Sequence, residues 1–92
     1  MLSIENTYNF DEVELNALGY ELIHVNQFKE AIRVFQLNVD AYPRSSNTYD
    51  SLAEAYMDDG NAPQAIANYR RSLELNPKNS NAVRMLQKLN AP

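Results

Sequence analysis

Residues 47–77, NTYDSLAEAYMDDGNAPQAIANYRRSLELNP, decide the fold of this chain. The first half places apolar residues three and four apart, the pattern of one helix face: Tyr49, Leu52, Ala53, Tyr56 and Met57. Gly60-Asn61 interrupts this pattern, and a second stripe follows: Ala62, Ala65, Ile66, Tyr69 and Leu73. Asn76-Pro77 ends the second helix, because proline disfavours helical geometry in the residue before it. So short a turn predicts two antiparallel helices.

The same pattern occurs 34 residues earlier, where Leu18, Ala31, Phe35 and Pro43 correspond to Leu52, Ala65, Tyr69 and Pro77. Asp11 and Glu14 have capping-box spacing and predict the start of a first helix, with the stripe Leu15, Leu18, Gly19, Leu22 and Ile23. We expect Asn26 to cap a second helix, which ends near Ala41 and carries the stripe Phe28, Ala31, Ile32, Phe35 and Val39.

A partial third copy follows Pro77. Ser46-Asn47 recurs as Ser80-Asn81, Tyr49 as Val83 and Leu52 as Leu86. The sequence predicts a last helix that caps the stack, covering the preceding pair with Val83, Leu86 and Leu89. Its outer side stays in water through Arg84, Gln87 and Lys88.

These positions resemble the tetratricopeptide repeat, whose 34-residue signature is W-x2-L-G-x2-Y, then A-x3-F, then P. The second copy reads Tyr49-x2-Leu52-Ala53-x2-Tyr56, Ala65-x3-Tyr69, Pro77, and the first copy reads Leu15-x2-Leu18-Gly19-x2-Leu22, Ala31-x3-Phe35, Pro43. The resemblance implies an all-α, right-handed α-α superhelix of two helix-turn-helix repeats and a capping helix. We expect an irregular arm over 1–10, repeats over 11–43 and 44–77, and the capping helix with its tail over 78–92.

Composition excludes several classes of site. The chain has no cysteine and one histidine, so no disulfide or transition-metal cluster is expected. A net charge of −4 argues against nucleic acid as the main partner, and no apolar run is long enough for a membrane span. The first ten residues lack the pattern of a signal peptide. The charge is uneven, because residues 1–30 hold six acids and one base, whereas residues 60–92 hold one acid and five bases.

Removing the apolar stripe from each first helix leaves a second helical face, which in the resembled family lines a concave groove for a peptide or a partner's helix. Its candidate residues are Asn16, Tyr20, His24, Asn47, Asp50, Ser51, Glu54, Asp58, Arg84 and Lys88. Tyr20 is the strongest single candidate, since aromatic side chains are enriched among binding hot spots. The preferred ligand is a segment of mixed polarity with positive charge near Asp50, Glu54 and Asp58. Alternatively, Asp50 pairs with Arg84 and Glu54 with Lys88.

Catalysis and metal binding have little support. His24, Ser51 and Asp50 lie on matching faces, but no strand-turn nucleophile or oxyanion loop accompanies them. Asp58-Asp59-Gly60-Asn61 fails the spacing of a calcium loop. We therefore expect no enzyme, no cofactor and no metal.

A second function stays open at this stage. Residues 42–56 also resemble the repeat tail of bacterial serine hydrolases of the penicillin-binding and β-lactamase-like kinds, which implies a non-catalytic C-terminal domain that positions or oligomerises an upstream enzyme. Val34 and Leu37 lie outside the second helix's stripe and need a cover, from the arm residues Ile4, Tyr8 and Phe10, an upstream domain or a second copy. The compartment is open: cytoplasmic for a free-standing adaptor, exported for such a tail.

Overall fold

The computed structural model describes residues 10–89. This part of the chain is all-α and consists of five helices: α1 Glu12–His24, α2 Phe28–Ala41, α3 Ser46–Asp58, α4 Ala62–Leu75 and α5 Ser80–Lys88. The two pairs α1–α2 and α3–α4 follow the two stripe patterns of the sequence, and α5 packs against α4. The predicted all-α repeat fold is therefore confirmed. The predicted arm falls at 1–9 outside the described residues, except for Phe10, which is half-buried.

Helix α1 begins with the predicted capping box. The Glu14 backbone N–H donates to the Asp11 carboxylate at 2.8 Å, and the Asp11 N–H donates to the Glu14 carboxylate at 3.1 Å. Two of the backbone donors that a helix start leaves without partners are thus satisfied.

In both repeats, the turn between the paired helices contains one residue with positive φ. Gly60 follows α3 with φ +82°, and its N–H donates to the Met57 carbonyl at 3.0 Å. Asn61 then caps α4, accepting from the Gln64 N–H at 3.2 Å. The prediction for Asn26 is wrong: this residue has φ +62° and occupies the turn position equivalent to Gly60, while Gln27 precedes α2. Asparagine adopts left-handed geometry more readily than most residues, which explains the exchange.

The repeat extends to side-chain hydrogen bonds. The amide of Asn38 on α2 donates to the Glu12 carbonyl at 3.0 Å, which ties the end of one helix to the start of the other. Thirty-four residues on, the Ser72 hydroxyl on α4 donates to the Ser46 carbonyl at 2.8 Å. Both side chains are fully buried. Different residue types therefore perform the same structural task in each pair.

Two apolar clusters hold the helices together. The first lies between α1, α2 and α3 around Ala31, Phe35, Val39, Leu52 and Ala55. The second lies between α3, α4 and α5 around Ala53, Ala65, Tyr69, Ala82 and Leu86. Tyr56 of α3 packs against both clusters. The two helix pairs thus share one continuous core.

Small residues occupy the close helix crossings. Ala31, Ala53 and Ala65 have no exposed surface. Gly19 of α1 lies against the ring of Phe35 of α2 so closely that an added methyl group would overlap the ring. The repeat spacing therefore depends on side-chain size at these positions.

The apolar stripe predicted for the last helix is wrong at Val83. Helix α5 covers the preceding pair with Ala82, Met85, Leu86 and Leu89, whereas Val83 is 41 % exposed. Val83 is the equivalent of Tyr49, which lies beneath the guanidinium of Arg71 on α4 at 5.7 Å from ring centroid to carbon. Among residues 10–89 no helix stands beside α5 as α4 stands beside α3, so Val83 has no such neighbour. Arg84, Gln87 and Lys88 are exposed, as expected.

Val34 and Leu37, the apolar pair on α2, differ in how much of each side chain is buried. Val34 is 2 % exposed, and Leu37 is half-buried. Leu37 lines a cavity of about 300 Å³ together with Ile32, Gln36 and Tyr56. The need for a cover on Val34 is thus met within the chain.

Candidate functional site

The candidate groove face consists of the ten predicted residues on the first helix of each repeat, α1, α3 and α5. Asn16, Asp50 and Arg84 are equivalent under the 34-residue shift, and so are Tyr20, Glu54 and Lys88. The structure connects α1 to α3 and α3 to α5 by side-chain hydrogen bonds that involve members of this set. The face is therefore one surface across three helices.

A polar network joins α1 to α3. The Tyr20 hydroxyl lies 3.3 Å from both the Ser51 hydroxyl oxygen and a carboxylate oxygen of Glu54. The Ser51 hydroxyl donates to the side-chain oxygen of Asn16 at 2.6 Å. Ser51 is 1 % exposed, so it lies beneath the face and supports it from below. Asn16, Tyr20 and Glu54 are half-buried and form the surface above it.

The ring of Tyr20 is fixed as well as its hydroxyl. It meets Phe35 of α2 edge to face, with ring centroids 5.2 Å apart and planes at 66°. Burial is the main reason that the pKa of Tyr20 rises to about 12, with the Glu54 charge adding to the shift, so the phenol stays protonated and able to donate. Tyr20 is thus a rigid side chain with one face open, the property that suits a contact residue.

Asparagine side chains join α3 to α5. Asp50 accepts from the amide of Asn81 at 3.0 Å and from that of Asn79 at 3.4 Å. The Asn81 oxygen in turn accepts from Arg84 at 2.9 Å. Sequence reasoning missed Asn79, which caps α5 and lies 29 residues from Asp50, a separation that no local pattern reveals.

The expected alternative, direct pairing across the face, does not occur. The ion pairs that the structure gives between described residues are Lys29–Asp59, Arg33–Glu30 and Arg71–Glu74, and none involves the groove face. Arg84 reaches Asp50 only through Asn81. Lys88 forms no ion pair with Glu54.

Helix α3 therefore carries a row of three carboxylates that take part in none of the three ion pairs given above for the described residues: Asp50, Glu54 and Asp58. Burial raises the pKa of Asp50 and of Asp58. Burial is also the main reason that the pKa of Glu54 is raised, and the Asp58 charge adds to it. Each carboxylate of this row is therefore less stable as an anion here than in water. Residues 10–89 hold no cluster of three metal-ligating side chains.

The other candidates lie at the edges of the face. His24, Asn47 and Lys88 are exposed, as is Asp58, and none of their side chains bonds to another described residue. A cavity of about 420 Å³ lies near Tyr42, Pro43 and Ser45, away from the ten residues. The face is open, which suits a chain segment laid across it better than an enclosed small molecule.

Helix pairs that repeat every 34 residues, with equivalent cores and equivalent inter-helix bonds, define a helical repeat protein. Residues 46–79, which are 34 of the 92 residues, match the family model described as tetratricopeptide repeat, and this match supports assignment to the tetratricopeptide repeat family. No curated protein matches the chain.

Repeats of this family generally mediate protein–protein interactions and typically act as non-catalytic scaffolds, so the family implies protein partners. Between residues 10 and 89 no helix has both the length and the apolar character that crossing a membrane requires.

Proposed function

We propose that this chain is an interaction scaffold that binds an extended peptide or a partner helix across the groove face. The ligand places Lys or Arg side chains against Asp50, Glu54 and Asp58. The observation that carries this proposal is the row of carboxylates on α3 with raised pKa values, which take part in none of the ion pairs Lys29–Asp59, Arg33–Glu30 and Arg71–Glu74. A bound cation restores the electrostatic stabilisation that burial removes.

The surroundings of the row support recognition of a polypeptide. Asn16 and Tyr20 lie on one side, and Arg84 and Lys88 lie on the other, so the three helices present polar, acidic and basic rows. A ligand of mixed charge meets complementary groups on each row, which favours one orientation over its reverse. Tyr20 contributes apolar contact area from a side chain that is already ordered, so binding costs little conformational entropy there.

The test is selection from a displayed random peptide library followed by chemical-shift mapping on the labelled chain. We expect the selected peptides to contain Lys or Arg, and the resonances of Asn16, Tyr20 and Glu54 to shift. Glu54→Gln keeps the side-chain shape but removes one charge, so it should weaken binding by roughly tenfold.

The matched control is Glu30→Gln on α2, where the carboxylate pairs with Arg33 and lies outside the face. It should leave affinity unchanged. Peptides that shift only residues of α2 and α4, or an affinity that Glu54→Gln does not alter, would contradict the proposal.

The role as an accessory domain of a larger hydrolase is the second candidate from the sequence. Its structural argument was the apolar pair Val34 and Leu37, and the burial of Val34 within the chain weakens that argument. Groove binding is therefore the function that the geometry supports best.

A further inference from the structure

Where one repeat packs on the next, the same four positions of the first helices α3 and α5 face the preceding repeat. On α3 they are Thr48, Ser51, Leu52 and Ala55, all buried. On α5 they are Ala82, Met85, Leu86 and Leu89, all in or against the second cluster. On α1 the equivalents are Glu14, Ala17, Leu18 and Glu21, of which only Leu18 is half-buried and the rest are exposed. We call these four residues of α1 the leading face.

The opposite end has an exposed face of its own. Asp50 on α3 reaches α5, so its position points toward the following repeat. The equivalent on α5 is Arg84, beside the exposed Val83 and Gln87. We call Val83, Arg84 and Gln87 the trailing face. Each face combines exposed small or apolar residues with charge.

The two faces have opposite charge. Residues 11–24 contain four acids, Asp11, Glu12, Glu14 and Glu21, and no Lys or Arg. Residues 76–89 contain three bases, Lys78, Arg84 and Lys88, and no acid. None of these seven residues takes part in the ion pairs that the structure gives for residues 10–89. The charge at each end is thus not cancelled by ion pairing in the described part of the chain.

We propose that the leading face of one copy of this chain docks on the trailing face of a second copy. Charge complementarity identifies the occupant, because the sequence that makes the acidic face also makes the basic one. The contact joins two different faces, so it is heterologous. A row of copies always has an unoccupied leading face at one end and an unoccupied trailing face at the other, and assembly is therefore open-ended. Exposed ion pairs contribute little, so the association is weak and is reduced by salt. It does not depend on the proposed groove function.

The test measures sedimentation of the whole chain against protein concentration at low and high salt. We expect the average mass to rise gradually with concentration at low salt, with no stop at a dimer. Glu21→Lys leaves the leading face without net charge, because Glu14 remains, and Arg84→Glu makes the trailing face negative like the leading face. Each variant alone should associate at least roughly tenfold more weakly than the natural chain.

A mixture of the two variants tests whether the leading face docks on the trailing face. An equimolar mixture of Glu21→Lys and Arg84→Glu chains should associate again, because the unaltered leading face of the Arg84→Glu chain can dock on the unaltered trailing face of the Glu21→Lys chain. Asp40→Lys, an exposed change on α2 outside both faces, is the control and should behave like the natural chain. Circular dichroism verifies folding, and Gln87→Glu, which leaves the trailing face without net charge, replaces Arg84→Glu if that variant does not fold.

A monomer up to millimolar concentration at low salt would overturn the proposal. So would a closed dimer that both charge reversals leave intact, or a mixture that remains monomeric while both components are folded.

Discussion

At the scale of single residues, Gly19 is the position least able to change. Its Cα faces the Phe35 ring, and a methyl group there has no room. We expect Gly19→Ala to lower the free energy of unfolding by about 1–3 kcal/mol through overpacking, despite alanine's better helix propensity. Chemical denaturation measures the change.

Gly60 is the control position for the measurement at Gly19. Unlike the helical Gly19 it has a positive φ, and nothing lies within 4 Å of an added Cβ. Because Asn26 adopts positive φ at the equivalent turn, Gly60→Asn should change stability little. A Gly19→Ala chain that is as stable as the natural one would contradict the close packing of Gly19 against Phe35.

Among helices, α4 gives the sharpest test of how the repeats fit. Ala65 is fully buried in the second cluster beside Tyr69 and Leu86. Ala65→Leu should therefore destabilise by about 1–3 kcal/mol. Ala67→Leu, on the exposed side of the same helix, is the matched control and should change stability by less than about 0.5 kcal/mol. A thermal melt in which both variants match the natural chain would contradict this packing.

Helices α3, α4 and α5 show how much of the structure can be predicted from the sequence. Period and turn residues locate α3 and α4, because glycine and proline constrain the backbone locally. They fail at Val83, whose burial depends on whether another helix stands beside α5. They also miss the bonds of Asp50 with Asn79 and Asn81, since these join residues 29 and 31 positions apart and no local pattern encodes them. The candidate surface is predictable, whereas its internal bonding is not.

For the molecule as a whole, the acidic row couples stability to pH. Asp50, Glu54 and Asp58 have raised pKa values in the folded chain. Between the ordinary carboxyl pKa and the raised one, the folded state binds more protons than the unfolded state. The free energy of unfolding contributed by these groups therefore falls as pH rises through that range and is lowest at neutral pH.

Glu54→Gln should consequently raise the melting temperature at neutral pH, and its advantage should vanish as the solution is acidified through the carboxyl range. Calorimetry at several pH values measures this, with Glu21→Gln on the exposed side of α1 as the control. A Glu54→Gln chain that melts lower than the natural one at neutral pH would show that the hydrogen bond from Tyr20 outweighs the burial of the charge.

The position of Tyr56 against both apolar clusters has a consequence for how the chain opens. Helix α3 supplies residues to each cluster, so neither helix pair can separate without disturbing the other's core. Its backbone amides should exchange with solvent deuterium only in the rarest, global openings, whereas those of α1 and α5 exchange through local fraying. The described part of the chain therefore unfolds as one cooperative unit with its slowest-exchanging segment in the middle, at the helix that carries the carboxylates.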